Sequence, residues 1–513
     1  MNWVARNGRN PTIDRLQLEA SEAWENLEYQ KAIHLLERAA RKEPGDPSQL
    51  LNLAQVLAAR YDFATAERYI EKAMKLSADR TQTLEKAGQM CLGLEYVEMA
   101  FRYFKRASQK AEVSPGTLLN LVDMCIRDKR LEEAAEFLSR ADHKDSRVLF
   151  QEAALRRAQG RLEEAETLFR DLLANPATDK EARIRALYEL GGILDGAGQF
   201  DAAMSAWQEA KMLYGAHAAP FKANLQHMQS RAAEMEQTIT TDVLDRWRAD
   251  AARLQPARRI ALLCGHPRSG TTLLEQVLDA HSDIVSAEET KLMHDEAYLP
   301  LIRDLPEGTA ILPALESASP ALISRVRNNY FACADLLLRR PIGGRLLVDK
   351  NPSLNLMIPI VARIFPETKF LVALRDPRDV VVSCFMQALP LTAVSSAYLT
   401  LESAVNQYVN VMDFWLQMRP RLGGQWTEVR YEDMVDNLPA VAHSALGFLG
   451  VSYEENVLKF YEHARMKRVH SPSHADVQKP LYRTAVGRWR NYQKYLEPHL
   501  AGLERFVAVF NYQ

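Results

Sequence analysis

Apolar residues recur at helical spacing through the first part of the chain, and four segments of this pattern are near-copies of one another. Aligning "YQKAIHLLERA", "FATAERYIEKA", "VEMAFRYFKRA" and "LEEAAEFLSRA" places Ala32, Ala66, Ala100 and Ala134 at a constant spacing of 34. Each is followed seven residues later by another alanine, Ala39, Ala73, Ala107 and Ala141. Small residues at fixed places in amphipathic helices mark where two backbones approach closely, so the pattern predicts a stack of antiparallel helix pairs. Ala165 and Ala203 continue it at spacings of 31 and 38, giving about six units in a loosening array. The polar segment "NLQHMQSRAAEMEQTITTDVLDRWRADAARLQ" then predicts one or two connecting helices. After Pro256 short apolar runs alternate with helical stretches: "RIALLC" and "TLLEQVLDA", "RLLVD" and "SLNLMIPIVARIF", "KFLVAL" and "RDVVVSCFMQ", then "TEVRYEDM". That alternation predicts a parallel sheet covered on both faces, with ligands at the carboxyl ends of its strands.

The period of 34 is that of the tetratricopeptide repeat, whose concave face commonly binds a peptide or another domain. The fold class expected is therefore an α-solenoid over residues 14–215, a helical linker over 216–255, and an α/β domain of P-loop-like type over 256–513. Composition changes this little. A chain of 513 residues exceeds one core, and 47% hydrophobic with 25% charged residues is ordinary for a globular protein. The net charge of −2 gives no overall attraction to nucleic acid or to a membrane surface, so any anion site is local. Five scattered cysteines without a C-x-x-C pair argue against a zinc ribbon or a disulfide framework and fit a reducing compartment. The opening "MNWVARNGRN" lacks a signal-peptide core, and no apolar run is long enough to span a bilayer. A cytoplasmic location is expected, with neither nucleic acid nor membrane as partner.

Candidate chemistry begins at "CGHPRSGTTLL". Two glycines bracket four residues directly after an apolar strand, as in a phosphate-binding loop, yet Thr271 stands where the Walker motif has lysine. Ser269, Gly270, Thr271 and Thr272 fall at the first turn of a helix, whose amides favour an anion, and Arg268 supplies a full positive charge. A second anion site is suggested by "VALRDPRDVVVSCF", in which Arg375 ends a strand and Ser383 lies eight residues on. Together the two describe a nucleotide with two separated phosphate groups.

"PRSGTTLLEQVLDAHSDIVSAEET", "DKNP" and "LRDPRDVVVS" resemble the sulfotransferase superfamily, and most closely its tyrosylprotein branch, over about residues 256–490. With the repeats, the chain resembles bacterial proteins that join tetratricopeptide repeats to a sulfotransferase domain. The resemblance implies 3′-phosphoadenosine-5′-phosphosulfate as co-substrate, with Arg268, Ser269, Gly270, Thr271 and Thr272 on the 5′-phosphosulfate and Arg375 and Ser383 on the 3′-phosphate. It further implies Glu289 as the catalytic base, Lys350 as the catalytic lysine, Tyr431 as a nucleotide contact, and Ser473 and Lys479 near the cofactor. One departure stands out. The family has an arginine four residues after the serine aligned with Ser383, where this chain has Gln387; the 3′-phosphate is then held less tightly or by another arginine.

Sulfuryl transfer is expected to resemble phosphoryl transfer, an in-line displacement governed by positioning and charge stabilisation. Glu289 would accept the acceptor hydroxyl's proton and Lys350 would neutralise the departing phosphate oxygen. No acidic magnesium-binding motif pairs with the loop, so catalysis without a metal is expected. The adjacent Glu288 and Glu289 could instead be a solvated pair at a helix start, Glu288 being the weaker candidate for the base, and His281 in "DAHSD" is a base candidate whose position after the loop helix more often serves packing or a cap. Three functions remain open: sulfation of a peptide or protein hydroxyl, tyrosine included, with the repeats presenting the acceptor; sulfation of a carbohydrate or small molecule, with the repeats used for assembly; or a non-catalytic nucleotide-binding scaffold. Residues 463–490 carry Arg465, Lys467, Arg468, Lys479, Arg483, Arg488 and Arg490 against Asp476 alone. Such a stretch would serve cofactor phosphates, an acidic acceptor or a basic surface.

Overall fold

Helix pairs form where the alanine pattern falls. The computed structural model describes residues 11–26, 28–94, 96–142, 145–254, 256–306, 308–338, 341–466, 477–479 and 481–513. Contacts divide the chain into two units, 1–190 and 191–513. The first contains antiparallel pairs such as Tyr29–Lys42 with Pro11–Glu25, Pro47–Ala59 with Phe63–Leu76, and Thr81–Gly93 with Val97–Ser108. Ala32, Ala66, Ala100 and Ala134 are buried, as are Ala39, Ala73 and Ala107. Ala141 is only half-buried, because its helix stops at Leu138. Close approach is measurable at Gly88, where a Cβ would lie 2.5 Å from the Phe104 ring. Helix starts are fixed locally: Asp46 and Ser114 accept hydrogen bonds from Ser48 N and Thr117 N, with Pro47 and Pro115 at the first helical position.

The second unit has a parallel five-stranded sheet. Its strands are β1 (Ile260–Gly265), β2 (Ile284–Glu288), β3 (Leu346–Lys350), β4 (Lys369–Leu374) and β5 (Trp426–Arg430), in the order β2-β3-β1-β4-β5. β1, β3 and β4 are the apolar runs expected from sequence. β2 is not among them, since Ser286 and Glu288 interrupt its five residues and hide the apolar signal. "TEVRYEDM" is a strand only as far as Arg430, and a helix begins at Tyr431. Helices Ala219–Thr238 and Thr241–Ala249 occupy the connecting segment and are tied to this unit, Arg421 donating to Glu236 O and Ile239 O at 2.7 and 2.8 Å. Residues 191–215, read as repeat from Ala203, also group with the sheet.

Candidate active site

All five strands end on one side of the sheet, and each delivers a polar or conformationally special residue there. β1 ends at Gly265, φ 139°, where a Cβ would meet Ala373 O of β4 at 2.5 Å, so a side chain would force the two central strands apart. The loop that follows turns through Arg268, φ 71°, and Gly270, φ 91°. A non-glycine residue in the left-handed region costs on the order of 1–3 kcal/mol and tends to mark functional sites. Helix Thr271–Asp279 makes its first turn bond from Leu274 N to Gly270 O at 3.1 Å, so the amides before Leu274 lie ahead of the intrahelical ladder. Ser269 is buried, with its amide bonded to His266 O. Burial pushes His266 down to about 4, which keeps the imidazole under the loop neutral.

The second anion element closes on the first. Arg268 Nε donates to Ser383 Oγ at 3.1 Å, and Arg375 Nη1 donates to Arg268 O at 3.2 Å. The Arg375 guanidinium lies 5.1 Å from the centre of the Tyr431 ring, and among the described residues its buried Nε has no hydrogen-bond partner. An unpaired guanidinium N–H beside a helix N-terminus fits an anionic group.

On the other side, Glu289 follows the end of β2 with φ 24° and Lys350 ends β3. Glu289 N donates to Lys350 O at 2.7 Å, and Lys350 Nζ meets Glu289 Oε1 at 2.7 Å. The Lys350 side chain is fully buried while that of Glu289 is 37% exposed, so the pair runs from the interior to the surface. Burial alone would lower the Lys350 pKa, but Glu275 and Glu289 outweigh it and hold the amine above the ordinary lysine value. Asp349, next to Lys350, turns away to Tyr330 OH at 2.6 Å, and burial pushes its carboxyl up to about 6.

These groups share one cavity of about 180 Å³. Arg268, Gly270, Thr271, Thr272, Glu289, Arg375, Tyr431 and Lys479 line it; Ser269, Ser383 and Lys350 sit immediately behind the lining. Ser473 lies outside the described residues. His281 is elsewhere in use, with Nε2 donating to Ser452 O at 2.7 Å and Nδ1 accepting from Asp283 N at 3.0 Å, so it caps the turn before β2. Gln387 caps the helix Pro377–Met386 and is not among the lining residues, whereas Leu389 is.

Sequence reasoning missed the late wall of the cavity, made by Leu481, Tyr482 and Ala485. Arg375 Nη2 donates to Ala485 O, and the Asp379 carboxylate accepts from Gly487 N and Trp489 N at 2.7 and 2.8 Å. Asp379 was visible only as the acid in "RDPRD", and nothing local pairs it with residues over a hundred positions away. Several cations of the basic stretch are already neutralised: Arg483 pairs with Asp436 and Arg488 with Asp195. Lys467 and Arg468 lie outside the described residues. Among the described residues no three His, Cys, Asp or Glu side chains group as metal ligands, and no helix is long and apolar enough to cross a membrane.

Residues 260–455 match the model of the sulfotransferase family, and residues 18–80 match that of the tetratricopeptide repeat. The sulfotransferase-family match lies within the second unit. The chain is 25% identical over 416 residues to an uncharacterized protein of Aquifex aeolicus, a match covering 79% of this chain and 52% of that one. It is 27% identical over 207 residues to protein-tyrosine sulfotransferase 2 of Gallus gallus, covering 39% of this chain and 53% of the relative. The chain thus spans about half the length of these two curated relatives. A solved sulfotransferase domain from the Synechococcus PCC 7002 olefin synthase is 25% identical, with 46% of this chain and 89% of that one covered at a TM-score of 0.33, a value too low to add to the fold.

Proposed function

We propose that the sulfotransferase-family domain moves a sulfuryl group from 3′-phosphoadenosine-5′-phosphosulfate to an acceptor hydroxyl, with protein tyrosine as the acceptor class. The observation that carries this reading is the Glu289–Lys350 pair, 2.7 Å apart, at a cavity that Arg268 and Arg375 also line. Arg268 and the first turn of helix Thr271–Asp279 hold the 5′-phosphosulfate, Arg375 and Ser383 the 3′-phosphate, and Tyr431 and Lys479 complete the nucleotide wall. Ser473 belongs with them by motif. Glu289 takes the acceptor's proton as its oxygen bonds to sulfur, and Lys350 neutralises the phosphate oxygen released as the old sulfur–oxygen bond breaks. Glu289 is the exposed member of the pair, as a base that meets an incoming hydroxyl must be. Relatives named protein-tyrosine sulfotransferase support the acceptor class, and repeats of the solenoid type, which commonly bind peptides, support a peptide or protein acceptor.

The product nucleotide 3′,5′-adenosine bisphosphate is expected to raise thermal stability. At a hundred times its dissociation constant a ligand adds about 2.7 kcal/mol. Magnesium ATP should do much less in the same melting scan, and equal stabilisation by ATP would point to a nucleoside triphosphatase instead. Arg375→Ala is expected to weaken calorimetric binding of the bisphosphate by roughly 1.5–3 kcal/mol, the worth of a charge-assisted contact. Unchanged affinity would remove Arg375 from the 3′-phosphate site.

A further inference from the structure

Lys350 has a second carboxylate partner that faces away from the cavity lining. Glu275, in the first half of helix Thr271–Asp279, places Oε2 3.2 Å from Lys350 Nζ, and both side chains are fully buried. Ser286 Oγ, on β2, donates to the other oxygen of Glu275. Ser286 N in turn donates to Asp279 Oδ1 at 2.7 Å, one helical turn beyond Glu275. The helix that begins with the anion loop is thereby bonded to the strand that ends in Glu289, and Lys350 is held between them. An isolated carboxylate at such depth is strongly unfavourable, and this one persists because it is paired and hydrogen-bonded.

We propose that Glu275 is a positioning residue for Lys350, the permanent counter-ion that keeps the ammonium charged and aimed while Glu289 is occupied with the acceptor's proton. The inference rests on the sulfuryl-transfer reading and deepens it. Once Glu289 has taken a proton it no longer balances Lys350, at the moment when the ammonium is needed on the leaving oxygen. Glu275 is not among the residues that line the cavity, and its contact with Lys350 is separate from the one Glu289 makes, so it remains beside the amine while Glu289 is engaged. The other charged groups facing Lys350 are few. Glu288 stands opposite it in the β2–β3 register, Asp349 on its own strand is turned to Tyr330, and β1 and the helical turn Pro352–Met357 carry no charged side chain. Removing Glu275 therefore removes, among the described residues, the one fully buried carboxylate in ion-pair contact with the amine.

The test compares wild type, Glu275→Gln, Glu275→Asp and Ser286→Ala in sulfuryl transfer from 3′-phosphoadenosine-5′-phosphosulfate to a tyrosine peptide, with 3′,5′-adenosine bisphosphate binding measured by calorimetry on the same samples. Glu275→Gln is expected to lower kcat on the order of 10- to 100-fold, the size of effect that misplacing a reacting group by about 1 Å produces, with nucleotide affinity kept. Its alkaline fall-off in kcat should come at lower pH than in wild type, since the amine has lost an anion that held its proton. Glu275→Asp, which keeps the charge, should keep the wild-type alkaline limb even at reduced kcat. A loss of rate with an unmoved alkaline limb would show a packing role only and overturn the proposal, as would unchanged kcat. If Glu275→Gln does not fold, Ser286→Ala decides: it leaves the charge but frees the carboxylate, so kcat should fall with nucleotide affinity unchanged, and wild-type kcat would overturn the positioning role. Absence of transfer and of nucleotide binding in wild type would instead remove the underlying reading.

Discussion

Glu289→Gln is expected to lose on the order of 100- to 10,000-fold in turnover, the usual contribution of a general base, while binding 3′,5′-adenosine bisphosphate almost as well as wild type. The amide preserves the size of the side chain and its reach to Lys350 Nζ, now 2.7 Å away, and deletes only the ability to take a proton. Glu288→Gln is the internal control. Glu288 is the last residue of β2, paired in register with Lys350, and is not among the cavity-lining residues, so its replacement should be far milder. Single-turnover kinetics with calorimetric binding separates the two. A dead Glu288→Gln beside an active Glu289→Gln would overturn the assignment of the base.

Lys350→Met is expected to abolish most turnover and also to destabilise the sheet unit by about 3–5 kcal/mol, because it leaves Glu275 buried without its counter-ion. The ammonium and the Glu275 carboxylate are both fully buried, so solvent does not soften the loss. Adding Glu275→Gln to Lys350→Met should recover part of the stability and none of the activity, since the unpaired charge is then gone while the catalytic cation is still missing. Urea unfolding followed by tryptophan fluorescence reads the relevant unit, as five of the seven tryptophans lie in residues 191–513. A Lys350→Met variant as stable as wild type would mean the pair is replaceable by packing alone.

Most of the architecture was legible because it is periodic. Alanines 34 residues apart and apolar runs leading into Gly265, Lys350 and Arg375 are local signals, and local signals survive in one dimension. The anion loop was legible for the same reason, its residues being consecutive. What escaped was set by three-dimensional pairing. β2 was hidden by Ser286 and Glu288, the first of which bonds Glu275. Glu275 itself reads as an ordinary polar position in "TTLLEQVLD", yet every residue of that helix is buried, so a charge within it had to have a partner. Asp379 and Ala485, which meet across Arg375, share no pattern at all.

The wall at Ala485 to Trp489 has a consequence for the order in which the protein is made. All five strands are complete once Arg430 has been synthesised, but Arg375 and Asp379 then still lack Ala485 O, Gly487 N and Trp489 N. At about 5–20 residues per second the ribosome needs several more seconds to supply them. Throughout that interval a nascent chain has a finished sheet with two buried-to-be charges exposed. The cavity wall at Ala485 is therefore closed only after the sheet is complete, and residues 493–513, with Phe506 packed on Tyr408, are added later still.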